Sequence, residues 1–168
     1  MLTLRSIPDT DLDAFFHMLN DPTLAVNTGS IPYPITRAWA QERLDKKRAM
    51  EVAGTAQDWG LYDGETLVGN AGWFTAETGG REIGYAIHRD HRGKGYATQA
   101  ARLVVERIRS DGYRDKIYAG YFKDNPASGR VLEKLGFEFL TETLGEAAAR
   151  TEPSPSIEMV LQAEVTIS

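Results

Sequence analysis

The chain contains no cysteine, which excludes disulfides, thiolate metal sites and cysteine nucleophiles. It has no apolar run near the ~18 residues that a membrane span requires. Its opening, Met1-Leu2-Thr3-Leu4-Arg5-Ser6, lacks the basic stretch and apolar core of a secretory leader, so a cytoplasmic protein is the simplest expectation. Basic charge is also short. Lys and Arg number 19 against 24 Asp and Glu, a net charge of −5. Nucleic-acid binding relies on basic surface, so neither a nucleic-acid nor a membrane partner is expected. Two familiar phosphate loops are missing as well. G-x-x-x-x-G-K-[ST] does not occur. The dinucleotide loop fails at Thr98, which stands three residues after Gly95 where Gly or Ala is needed.

What is present reads as one globular domain over residues 1–168, with 42% hydrophobic and 26% charged residues. Leu2–Arg5 alternates as a strand. Asp9 or Thr10 can cap a helix carrying Leu12, Phe15, Phe16 and Leu19. Residues 20–34 hold Pro22, Gly29, Pro32 and Pro34 and read as a loop. Thr36 caps a second helix through about Met50. Residues 58–62 and 66–75 read as strands joined by a hairpin at Asp63-Gly64. A fourth strand follows at 81–88, a third helix at 95–111, a fifth strand at 116–122 and a fourth helix at 126–135. A strand at 137–143, a polar loop at 145–156 whose alanine run suits a helical turn, and a strand at 157–161 close the chain. The class is α+β, a mixed, mostly antiparallel seven-stranded sheet flanked by about four helices.

The most informative stretch is Arg92-Gly93-Lys94-Gly95-Tyr96-Ala97. A strand feeds a glycine turn, which feeds a helix N-terminus. Such a turn gathers unpaired N–H groups ahead of the positive end of the helix dipole, a site for phosphate or pyrophosphate. The pattern R-x-x-G-x-A, here Arg92, Gly95 and Ala97, resembles the acyl-coenzyme-A pyrophosphate loop of the GNAT superfamily of N-acetyltransferases. A second block, Asn125-Pro126-Ala127-Ser128 followed by Glu133-Lys134-Leu135-Gly136-Phe137, resembles the coenzyme-binding helix of one branch. That branch is the RimJ/RimL type, which acetylates the N-terminal alanine of ribosomal proteins. Asn125, Pro126 and Gly136 also serve as ordinary start and stop signals of a helix.

The resemblance implies the GNAT fold, acetyl-CoA as cosubstrate, no metal, and an amine-bearing peptide or small molecule as acceptor. A homodimer is a further implied partner, since the family often forms one. It also implies that the fourth strand parts from the fifth in a V. A freed N–H near Ala86, Ile87 and His88 would then face the thioester carbonyl. Alternation puts Glu82, Gly84, Ala86 and His88 on one face of that strand, and Ile83, Tyr85 and Ile87 on the other. A bulge, frequent there in the family, would change that facing. Glu82 matches a base position of the family. It either takes the proton of the acceptor amine or is a surface carboxylate paired with Arg81 or Arg89. The tyrosine that many members use to protonate the leaving thiolate is replaced by Leu132. Ser128 matches a serine that the branch places near the sulfur, and Tyr118 and Tyr121 are other donors. His88 and His91 stand three apart with no third ligand evident. Met18, Trp39, Trp73 and Phe74 either line an acceptor pocket or pack in the core. The loops 20–36 and 144–156 are the expected determinants of the acceptor.

Overall fold

The computed structural model describes residues 1–164, so residues 165–168 of the expected domain lie outside the described part. The elements run β1 (Leu2–Arg5), α1 (Leu12–Leu19), α2 (Pro22–Val26), α3 (Arg37–Ala53), β2 (Ala56–Asp63), β3 (Thr66–Thr75) and β4 (Arg81–Ile87). They continue α4 (Tyr96–Ser110), β5 (Ile117–Phe122), α5 (Pro126–Lys134), β6 (Glu138–Gly145) and β7 (Ser154–Leu161). The strands form one seven-stranded sheet in the order β1-β2-β3-β4-β5-β7-β6. All neighbours are antiparallel except β4 and β5, which are parallel.

Local chemistry explains most boundaries. The Thr36 hydroxyl accepts from the N–H of Trp39 at 3.1 Å and starts α3, and Gly54, at φ 76°, ends it. The β2–β3 hairpin turns on Gly64 and Glu65, with Gly64 at φ 60°, the first central position of a II′ turn. Gly112, at φ 92°, follows the end of α4.

Each face of the sheet has its own core. On one face α4 and α5 lie over Trp59, Leu61, Ala71, Ile83, Ile87, Ile117, Ala119 and Met159. Helix α4 contributes Ala100, Ala101, Val104 and Ile108, all fully buried. The valine and isoleucine each stabilise the fold by roughly 1.5–3 kcal/mol. On the other face α1, α2 and α3 bury Phe15, Met18, Leu19, Leu24, Ala40 and Leu44 around Tyr62. The register of β2 on β3 shifts between Leu61 and Tyr62. Beyond that shift Val68 packs in the α4 core and Leu67 in the opposite one.

Several expectations are corrected. The segment 20–34 is not wholly loop, because α2 lies within it. The Asp21 carboxylate accepts from Thr23 N–H at 3.0 Å, and Pro22 takes the first helical turn, where its missing N–H costs nothing. Asp9 caps no helix. It opens a 3-10 turn, Asp9–Asp11, and its carboxylate accepts from Arg48 at 2.8 Å. Asn125 stands at the cap of α5 without a side-chain capping bond. The loop before β7 is shorter than expected, since β6 runs to Gly145 and β7 begins at Ser154. A turn does form at Ala147–Arg150. Arg150 pins it by donating to the Val26 carbonyl at 2.7 Å and to both Asp124 oxygens, at 2.8 and 3.0 Å.

Candidate functional site

Past β4 the chain makes a 3-10 turn, Arg89–His91, and reaches Gly93 and Gly95, both at φ 78°. A Cβ at either glycine would meet nothing within 4 Å, so backbone conformation, not crowding, demands glycine there. The outer side of this turn is open, and the first N–H groups of α4, from Tyr96 and Ala97 onward, have no carbonyl within the helix to bond. Arg92 points the other way. Its Nε donates to the Ile87 carbonyl at 3.1 Å and its Nη2 to Asp21 at 2.7 Å. Asp21 is 4% exposed. One arginine therefore ties the glycine turn to β4 and to the cap of α2. Lys94 is exposed, and the Tyr96 hydroxyl donates to Asp63 at 3.0 Å. The resulting cradle suits a pyrophosphate held by backbone donors.

Strand β4 pairs with β3 without a register shift, so the alternation read from its sequence holds and no bulge interrupts it. Against β5 it pairs only at Arg81 with Ile117 and Glu82 with Tyr118. Beyond Glu82 the two strands separate, and Ile83, Tyr85, Ala119 and Tyr121 line the gap. His88 N–H donates to the Val68 carbonyl at 2.8 Å, which corrects its expected freedom. Antiparallel bonding alternates, so Ala86 and Gly84 also bond toward β3. The N–H groups of Tyr85 and Ile87 then point into the gap, while that of Ile83, next to the Glu82–Tyr118 pair, still bonds toward β5. Of the three positions expected to free a donor, only Ile87 faces it. The His88 ring accepts from Asp90 N–H at 3.0 Å, and burial lowers its basicity. Among the described residues no group of three or more metal-ligating side chains gathers.

The titratable groups stand on opposite faces of the gap. Glu82 lies on the α3 side and lines a cavity of about 780 Å³. Burial, then the like charges of Glu158 and Glu77, push its carboxyl up to about 7. Glu158 lies over Gly120, across the gap, and burial raises it too. Neither Arg81 nor Arg89 pairs with Glu82. The Arg81 guanidinium stacks on the Trp73 ring at 3.9 Å instead. On the α4–α5 side, the Tyr85 hydroxyl is 2.9 Å from Ser128 Oγ, and either can donate. Burial raises Tyr85, which stays a neutral phenol.

Sequence reasoning missed Tyr85. Its alternation with Ile83 and Ile87 gives its facing correctly but no role, because nothing in the sequence brings α5 over it. Leu132 is in the core, 1% exposed. Tyr121 packs against Gly129, where a Cβ would come within 2.6 Å of its ring, and Tyr118 lies beside Glu82 outside the cavity lining. Asn125 is half-buried and also outside that lining.

The cavity continues under α3. Trp39, Trp73 and Phe74 line it, whereas Met18 is core. Asn27, Thr28, Gly29 and Ile31 close one side. The loop 146–153 does not line it but braces that wall, with Ala148 N–H donating to the Gly29 carbonyl at 3.0 Å and Ala149 packed against the core beneath. The arrangement can hold a phosphate-bearing cosubstrate on the α4 face, an amine on the α3 face, and join them through the gap.

The Acetyltransferase (GNAT) domain family matches residues 1–138. An uncharacterised N-acetyltransferase of Bacillus licheniformis, p20, is 26% identical over 141 residues, 82% of this chain and 79% of that protein. The [ribosomal protein uS5]-alanine N-acetyltransferase of Escherichia coli is 28% identical over 103 residues, 58% of this chain and about half, 53%, of that enzyme. Among solved structures, the ribosomal L7/L12 alpha-N-protein acetyltransferase RimL in complex with coenzyme A superposes with a TM-score of 0.86. That match is 14% identical and covers 96% of this chain and 94% of that one.

Proposed function

This chain belongs to the GNAT acetyltransferase family and is an acetyl-CoA-dependent N-acetyltransferase, and from that premise we propose that its acceptor is the N-terminal amine of a protein or peptide. The observation that carries this reading is the carboxyl of Glu82, held at about 7 on the acceptor side of the gap. An α-ammonium group, near 8, gives its proton to such a base at a cost of about 1.4 kcal/mol, whereas a lysine-like alkylammonium near 10.4 costs about 4–5 kcal/mol. A carboxyl raised this far stands nearer to an α-amine than to a lysine-like amine. The relatives that act on ribosomal-protein N-termini support the same choice.

The cosubstrate supplies an acetyl group as a thioester. The first N–H groups of α4, presented by Gly93 and Gly95, hold its pyrophosphate, and Arg92 keeps that turn in place through Asp21 and Ile87. Glu82 takes the proton of the amine from the α3 side. The freed amine forms the new C–N bond and sheds its surplus proton to solvent, the C–S bond breaks, and Ile87 N–H faces the charge that develops on the acetyl oxygen. On the opposite face Ser128 donates a proton to the departing sulfur and regains one along its hydrogen bond with the Tyr85 phenol, which is reprotonated in turn from solvent. Acid and base thus act from two sides of one sheet.

The test is an acceptor screen with acetyl-CoA, read by mass spectrometry. It should include peptides with free N-terminal Ala, Ser and Met beside polyamines and aminoglycosides. Peptides with a free N-terminus are expected to turn over fastest. Turnover of alkylamines alone would overturn the reading.

A further inference from the structure

Away from the gap, the cavity ends in a polar floor that none of the steps above uses. Asp58, Gly72 and Gly84 are cross-strand neighbours, and Asn70 is the neighbour of Ala86. All five residues face α3. At Gly72 a Cβ would stand 2.0 Å from the Gln57 carbonyl, so no side chain can grow there. At Gly84 the space is open, with only Phe74 at 4.0 Å. A bare groove therefore crosses the sheet from the gap to Asp58, two strand spacings or about 10 Å.

Three polar side chains close its far end. Asn70, 8% exposed, donates through Nδ2 to Asp58 at 3.3 Å, and its Oδ1 has no partner. From α3 above, Arg43 donates through Nη1 to Ser30 at 3.1 Å, and its Nε has no partner. Both residues line the cavity, with Lys47 beside them. An unmet buried donor or acceptor costs about 1–3 kcal/mol, so two of them in one cavity call for an occupant. Asp58 stands among Arg43 and Lys47, so an added charge of either sign would meet a like charge. The best complement is neutral, with one acceptor and one donor. A peptide group carries one N–H and one C=O. The Asn70 carboxamide turns about a soft terminal torsion to present its oxygen.

We propose that this floor is an acceptor subsite for a main-chain amide, with N–H to Asn70 Oδ1 and C=O to Arg43 Nε. It deepens the α-amine reading and rests on it. At about 3.3–3.6 Å per extended residue, a 10 Å reach from the gap falls near the third residue of the acceptor. The acceptor is then a peptide segment, not a free amino acid.

The experiment measures kcat/KM for alanine amide and for di-, tri- and tetra-alanine amides, all with free N-termini, on the wild type, Asn70→Leu and Arg43→Met. Coenzyme titration of each variant checks that it is folded. A rise of tenfold or more between one and three residues is expected, flat thereafter. Either substitution should bring tripeptide turnover to within about threefold of the single-residue amide. Equal turnover at every length in the wild type overturns the subsite and leaves the α-amine reading standing. A length step that survives both substitutions also overturns it, because the step then arises elsewhere. If no free N-terminus of any length is acetylated, the α-amine reading falls and the subsite with it. Should a variant fail to fold, the wild-type length series decides alone.

Discussion

Burial and like charge push the Glu82 carboxyl up to about 7, and that has consequences for both rate and stability. As the base it must be ionised, so kcat/KM should fall as pH drops through about 7. Glu82→Gln should lower kcat/KM by roughly 10²–10⁴ at pH 7, with a smaller loss at high pH where the amine is already neutral. Its effect on stability has the opposite sign. The folded carboxyl lies above its unfolded value of about 4.3, so between those values the native state holds a proton that the unfolded state has lost. Stability therefore declines as pH rises across that window. Glu82→Gln should raise the melting temperature most above pH 7, and the gain should vanish near pH 4. A mutant as active as wild type at pH 7 would make Glu82 structural. Across the gap, Ser128→Ala and Tyr85→Phe should each lower kcat and leave coenzyme affinity nearly intact. Wild-type kcat in both would move the proton donor elsewhere. The facing of Glu82 was legible from strand alternation, and its proposed role from the resemblance. The part of Tyr85 was not, because alternation gives only its face, and the packing of α5 is what sets Ser128 beside it.

At the scale of elements, the entry to α4 and the entry to α2 are joined by one ion pair, Arg92 with Asp21. Gly95→Glu adds a strained side chain and a negative charge at the phosphate turn. It should weaken coenzyme binding at least tenfold, about 1.4 kcal/mol, by calorimetry. Asp21→Ala removes both the cap of α2 and the partner of Arg92, and should destabilise the fold by about 2–4 kcal/mol while weakening coenzyme binding. Asp21→Asn keeps a capping side chain and loses only the charge pairing. Its coenzyme affinity should fall while its melting temperature stays closer to wild type. Equal coenzyme affinity in both variants and wild type would separate the pair from the turn. Glycine turns and the Thr36 cap were readable because each is set by neighbours in sequence. Asp21-Pro22 is readable in principle as a cap and first turn, but a proline in a segment that also holds Gly29, Pro32 and Pro34 reads as a breaker. The Arg92–Asp21 pair joins positions 71 residues apart, and no local pattern announces it.

For the whole molecule, the order of strands and helices followed from periodicity and turn residues, and the separation of β4 from β5 was supplied by resemblance. The polar floor was legible in neither, since Arg43, Asp58 and Asn70 meet only when α3 closes over the sheet. That sheet is two half-sheets. β1 to β4 and β5 to β7 share two residue pairs, and side chains of α4 and α5 weld them from one face. Hydrogen exchange should read this seam directly. Without cosubstrate, the amides of Tyr85 and Ile87 should exchange faster than those of Gly84 and Ala86 on the same strand. With coenzyme bound they should slow, while the outer strands β1 and β6 do not change. An alternation that is absent, or that ligand leaves untouched, would mean the gap is not where the acyl arm lies. On the reading proposed above, the protein is a sheet missing one strand's worth of bonds that its cosubstrate would complete. Ligand at a hundredfold its dissociation constant then adds about 2.7 kcal/mol to folding, so the melting temperature becomes a gauge of the acetyl-donor pool.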